Sequence, residues 1–133
     1  MTTPQWVLLD TSVIIDLDQL DLGDLATATA LISAVTVAEL GYGLDVDDPV
    51  KRTARTERYY AILDKFDILP FGLGAAKQYA LLASLVRRAG RNPRPRRMDL
   101  QIAATAAACS VPLLTRNAKD FVGLDQVIDV LAI

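Results

Sequence analysis

The sequence predicts an α/β fold: a mainly parallel sheet with helices packed on both faces. Three observations carry that expectation. Five apolar runs of strand length recur along the chain, most of them without the alternation of a strand wetted on one side. Helical stretches separate them, so that crossover helices would link parallel strands. The 133 residues are 52% hydrophobic, enough for one domain that hides roughly two-thirds of its unfolded surface.

Residues 6–9 (WVLL) open the sheet and are closed at once by Asp10. Residues 30–35 (ALISAV) supply the second strand, and Thr36 opens a helix after it. In residues 49–66, Pro49 suits a first helical position, and Tyr59, Ile62, Leu63 and Phe66 recur at three- and four-residue spacing. A third strand follows at 68–71, then an amphipathic helix at 74–89 stopped by Gly90, a residue suited to the left-handed turn past a helix end. The run RRAGRNPRPRR at 87–97 reads as a loop stiffened by proline. Residues 98–109 form an alanine-rich helix with Ile102, Ala103, Ala106 and Cys109 on one stripe, and runs at 112–114 and 127–131 complete the sheet. Trp6 reads as packing, and Gly41 and Gly43 as sites of close approach or loosening in a helix. There is no repeat, no secretory signal and no apolar run long enough to cross a membrane, so residues 1–133 read as a single domain.

Composition removes whole classes of chemistry. With no histidine, imidazole acid–base catalysis, Ser-His-Asp and Cys-His nucleophiles and His-ligated zinc all drop out. The single cysteine, Cys109, excludes an internal disulfide and fits a reducing cytoplasm; on its alanine-rich stripe it is expected to be buried and inert. Of sixteen acids, fourteen are Asp and only Glu39 and Glu57 are Glu. Six of the fourteen bases fall within residues 87–97 with no acid among them, leaving eight bases against all sixteen acids, −8, elsewhere. Such a patch attracts phosphate or an acidic protein, or is simply a solvated loop. Neither a phosphate-loop nor a dinucleotide glycine motif is present.

In open parallel sheets, ligands bind beyond the carboxyl ends of the strands. Asp10 ends the first strand, Glu39 lies a helical turn after the second, Asp99 begins the alanine-rich helix and Asp120 lies just past the fourth strand. Carboxylates brought together there repel unless a cation intervenes, and a donor set of oxygens alone suits Mg²⁺ or Mn²⁺. Such ions drive phosphodiester hydrolysis. Each acid also has a plainer reading. Thr36 and Glu39 have the spacing of a capping box, Asn117 and Asp120 share it, and Asp10 or Asp99 would favour a helix N-terminus. Taken singly, Glu39 and Asp120 fit capping better than ligation; Asp10, at the end of a buried strand, needs a partner.

The order and context of these residues resemble the PIN-domain nucleases, most of all the VapC-type toxins of bacterial toxin–antitoxin modules. The resemblance runs through nearly the whole chain: LLDTS around Asp10, SAVTVAELGYGL around Glu39, and MDLQIAATAAACSVPLLTRNAKDF from Asp99 onward. It implies a three-layer α/β/α PIN-like fold and an Mg²⁺- or Mn²⁺-dependent endoribonuclease that inhibits translation. A cognate antitoxin would cover the active-site groove, and protomers would pair as homodimers. Asp10, Glu39, Asp99 and Asp120 match the acids taken as catalytic and metal-binding, with Asn117 the alternative at the fourth position. Thr11 and Ser12 match the hydroxyl neighbours of the first acid, and Thr115 and Arg116 would contact substrate phosphate. In the basic run, Arg94, Arg96 and Arg97 are candidates to hold RNA, while Tyr59, Tyr60 and Leu63 are candidates to face the antitoxin groove, with a place in the core equally open to Tyr59. Competing readings are a PIN nuclease with another nucleic-acid target, a nonenzymatic PIN-like module binding RNA or protein through its arginines, and a phosphatase- or response-regulator-like domain, which fits the spread of acids less well.

Overall fold

In the computed structural model, which describes residues 3–133, β1 (Trp6–Leu9) lies at the centre of an all-parallel sheet. It pairs with β2 (Thr29–Ser33) on one side and β4 (Leu113–Thr115) on the other; β3 (Asp67–Leu69) and β5 (Val130–Ala132) form the edges, giving the order β3-β2-β1-β4-β5. Leu8 sits in register with Leu31 on one side and Leu113 on the other.

The pleat divides the core. Leu8, Leu31 and Leu113 pack with Leu82 and Val86 of α4 (Leu73–Arg88), with Leu100, Ile102 and Ala103 of α5 (Arg97–Cys109), and with Phe121, Leu124 and Ile128. On the opposite face Val7, Leu9, Ile32 and Leu114 meet Val13 and Ile14 of α1 (Thr11–Ile15), Ile62 of α3 (Pro49–Lys65) and Phe66 just past its end. This is the expected three-layer arrangement, each fully buried Leu or Ile contributing roughly 1.5–3 kcal/mol. Alanines 103, 104 and 106 are wholly buried, and an added Cβ at Gly74 would lie 3.7 Å from Ala108 Cβ, so small residues bring α4 and α5 close.

Several expectations are corrected. Strand β2 stops at Ser33 because the Ser33 hydroxyl accepts from the Val35 amide at 3.0 Å and caps α2 (Ala34–Tyr42); residues 34 and 35 are the first helical turn. The T-x-x-E capping box is therefore absent: Thr36 lies inside α2, its buried hydroxyl 3.2 Å from that of Thr11. The Asn117 side chain makes no capping bond either. Cys109 is exposed, because α5 reaches its last turn clear of the core. Trp6 is 43% exposed at the start of β1 rather than packed inside. The segment 16–28, unassigned from the sequence, holds two 3₁₀ turns, Leu17–Gln19 and Gly23–Thr27, whose leucines 17, 20, 22 and 25 pack against the second core. Gly41 does mark close approach: a Cβ there would stand 3.1 Å from the Tyr59 hydroxyl. No helix among the described residues is long and apolar enough to cross a membrane.

Candidate active site

The chain steps outward from β1 to β2 and β3, then returns to β4 on the other side of β1. The crevice at which strand order reverses therefore opens between the carboxyl ends of β1 and β4, where α/β sheets bind ligands. Asp10 stands there: its amide donates to Leu114 O at 2.9 Å, and the residue is 4% exposed. Asp10 Oδ2 accepts from the hydroxyls of Ser12 (2.9 Å) and Thr115 (2.8 Å). Asp10 Oδ1 is buried with no hydrogen-bond partner.

The other acids arrive from three further elements. Glu39, on α2, accepts from the Thr11 hydroxyl at 3.1 Å, so Thr36 supplies the proton of the Thr11–Thr36 contact. Asp99 lies in the first turn of α5. Burial pushes the Glu39 carboxyl above its ordinary range; the Thr11 bond opposes this, and the charges of Asp99 and Asp10 add to it. Asp99 is raised likewise by burial, then by Asp10 and Asp120, with Arg96 opposing. Glu39 thus lies within electrostatic reach of Asp10 and Asp99, and Asp99 within reach of Asp10 and Asp120. Among the described residues, however, no group of three or more acids, cysteines or histidines is closed into a metal cage.

The family model described as PIN domain matches residues 7–126. The chain belongs to the PIN-domain family. It is 33% identical to "Ribonuclease VapC" of Rickettsia bellii over 119 residues, 86% of this chain and 87% of that protein. With "Ribonuclease VapC5" of Mycobacterium tuberculosis it shares 35% identity over 134 residues, 93% of this chain and 91% of the relative. The crystal structure of a member of the VapBC family of toxin–antitoxin systems, VapBC-5 from Mycobacterium tuberculosis, superposes with a TM-score of 0.76 at 31% identity, covering 98% of each chain.

Within this PIN domain the hydroxyls singled out from the sequence, Thr11, Ser12 and Thr115, point at carboxylates rather than at open solvent. Asn117 is exposed, and its amide donates to Thr115 Oγ1 at 3.0 Å. The basic residues separate. Arg96 is turned inward onto Asp120, Nη2 to Oδ1 at 3.1 Å and Nη1 to the Asp120 carbonyl at 3.0 Å. Arg116 pairs with Asp16, a residue that sequence reasoning missed because nothing distinguishes it from the other solvent-facing aspartates. Arg94 and Arg97 are exposed. Arg58 was also missed: it donates to the carbonyls of Ile14 and Ile15 and closes the end of α1, a tertiary cap with no local signature. Beside Glu39 a groove of about 440 Å³ runs between α2 and α3, lined by Leu40, Leu44, Tyr59 and Ile62 among others. Tyr59 borders it, whereas Tyr60 is 61% exposed and Leu63 is not in its lining.

Proposed function

We propose that residues 1–133 work as a single PIN domain, the ribonuclease toxin of a toxin–antitoxin pair. The relatives' names support the class of activity, and one feature of this chain carries it: the unpartnered, buried Oδ1 of Asp10, with Glu39 and Asp99 in electrostatic reach of that residue. A buried acceptor without a donor costs about 1–3 kcal/mol, more for a charged group. Glu39 and Asp99 carry a related burden, both held above the ordinary carboxylate range by burial and neighbouring charge. A divalent cation relieves both, and a site whose donors are all oxygens fits Mg²⁺ or Mn²⁺.

Asp10, Glu39 and Asp99 would hold the ion, with Asp120 as the fourth acid; the exposed Asn117 suits a substrate contact better. When bound, the ion supplies charge neutralisation at a phosphodiester and lowers the pKa of its water. The remaining work belongs to the protein. Ser12 and Thr115 fix Asp10, Thr11 fixes Glu39, and Arg96 fixes Asp120. With no histidine to shuttle protons, hydrolysis by water fits better than imidazole-driven transfer to a 2′-hydroxyl.

The same proposal assigns the α2–α3 groove to an antitoxin segment with an apolar face, because its lining combines Leu40, Leu44, Tyr59 and Ile62 with the edge of the acid site at Glu39. Pairing of two toxin copies belongs to it too, and the mass of the purified protein in solution reads it out. The test of activity is cleavage of total RNA, including tRNA and ribosomes, by antitoxin-free protein. Cleavage should need Mg²⁺ or Mn²⁺, stop with EDTA and be lost in both Asp10→Ala and Asp99→Asn. Metal-loaded, folded protein that cuts none of these RNAs overturns the reading.

A further inference from the structure

The basic run does not act as one surface. Arg96 is committed to Asp120, while Arg87, Arg91 and Arg94 line an open basin of about 620 Å³ together with Gly90, Asn92 and Pro93. We propose that this basin is a second phosphate site, gripping the backbone of the RNA strand a few nucleotides from the scissile bond; it rests on the ribonuclease reading and extends it.

The basin is built by backbone chemistry. Helix α4 ends in a paired closure, Gly90 N–H to Arg87 O at 2.9 Å and Arg91 N–H to Val86 O at 3.1 Å, with Gly90 at φ +83° where a side chain would be strained. The Asn92 side chain then accepts from the Arg94 amide at 3.1 Å, which closes a local turn on the rim of the basin. No acid lines the basin. Both ion pairs found among the described residues lie elsewhere, at Arg96–Asp120 and Arg116–Asp16. Of its donors Arg91 uses one, to the Val122 carbonyl at 3.3 Å.

A plainer role for these bases is to offset the negative end of the α4 dipole. That end amounts to roughly half an elementary charge, against three guanidiniums, so most of the positive charge is left over. An acidic protein surface is the other candidate. Arginine serves either partner, so the oligo-aspartate arm of the test below separates the two. The absence of aromatic residues also makes this a backbone site without base stacking, and therefore indifferent to sequence. Position favours RNA as well. Arg94 opens the 3₁₀ turn Arg94–Arg96, which runs straight into α5 and Asp99. Five residues separate Arg94 from Asp99, at most about 17 Å of chain, a span of a few nucleotides.

The test compares wild type with the Arg87→Gln/Arg91→Gln/Arg94→Gln variant, and with Lys51→Gln/Arg52→Gln/Lys77→Gln as an equal loss of exposed charge elsewhere. Binding of a 12-nucleotide oligouridine in EDTA is followed by fluorescence anisotropy across NaCl concentrations, beside a 12-residue oligo-aspartate. Three lost phosphate contacts should lower the log–log salt slope by about 2 and the RNA affinity roughly 10- to 100-fold at 0.1 M salt. The second variant should change far less. In cleavage, KM should rise by a similar factor with kcat held. Unchanged slope and affinity overturn the basin, as does an equal loss for oligo-aspartate, which would assign it to an acidic protein. Basin-dependent RNA binding by a protein that cuts nothing overturns the ribonuclease reading alone; cleavage with an unaltered salt slope overturns the basin alone.

Discussion

Replacing Thr115 by valine tests how Asp10 is held. Thr115 is fully buried; its hydroxyl donates to Asp10 Oδ2 at 2.8 Å and accepts from the Asn117 amide at 3.0 Å. Valine keeps the shape and removes the hydroxyl. A hydrogen bond to a charged group contributes about 1.5–3 kcal/mol, and Ser12 alone would remain on that carboxylate. The Asn117 backbone amide loses its part-buried acceptor too, at about 0.5 kcal/mol. The expected loss is about 2 kcal/mol, a urea midpoint lower by roughly 1 M at a slope near 2 kcal/mol/M. Thr115→Ser restores the donor and gives up one methyl group, about 1 kcal/mol. If the hydroxyl orients Asp10 in the transition state as well, 2 kcal/mol is about 30-fold in kcat/KM for RNA cleavage. In an Asp10→Ala background Thr115→Val should cost only about 0.5 kcal/mol, the difference being the coupling between the two side chains. Equal costs in both backgrounds, or serine as harmful as valine, would refute the argument.

Three further outcomes follow from the same geometry. Glu39 and Asp99, raised above their ordinary values of 4.5 and 3.8, keep their protons longer when folded than when unfolded. Their ionisation therefore costs the metal-free protein stability, absent below the ordinary values and growing as pH rises through the folded ones. Metal-free Asp99→Asn should accordingly melt above wild type at neutral pH, with the gap closing as pH falls toward 4; a gap constant with pH contradicts the coupling. Arg96→Gln removes a half-exposed ion pair worth about 0.5–1 kcal/mol and a positive charge opposed to the site's acids, so calorimetry should find Mn²⁺ bound a few-fold more tightly, and weaker binding would show Arg96 to be needed for the site's shape. Cys109, being exposed, should react with a thiol reagent in the native protein without urea, whereas protection until unfolding would contradict its placement.

Much of the fold was legible in local pattern. Uninterrupted apolar runs mark strands covered on both faces, and β1 falls on the residues the pattern names. Gly90 and Pro49 announced helix boundaries through their own backbone preferences. What local pattern misjudged was decided by competition. Ser33 and Thr36 are both able to cap α2, and the sequence alone does not show which one is poised over a free amide. The short 3₁₀ turns of 16–28 have too few residues for a period to show, and hold by packing their leucines on the sheet.

The site divides in the same way. The types of residue, four acids with no histidine and one cysteine, follow from the sequence and limit the chemistry to oxygen donors, whatever the fold. Their assembly does not. The sheet order places Asp10 beside Thr115, 105 residues away; α5 brings Asp99 within electrostatic reach of Asp10 and Asp120, and the turn before it brings Arg96 onto Asp120. Only that packing separates arginines equal in the sequence, turning Arg96 onto a carboxylate and leaving Arg87, Arg91 and Arg94 open. The physical reason is range: propensity and hydrophobic period act over a few residues, whereas burial, charge and the direction of a side chain depend on neighbours that folding alone supplies.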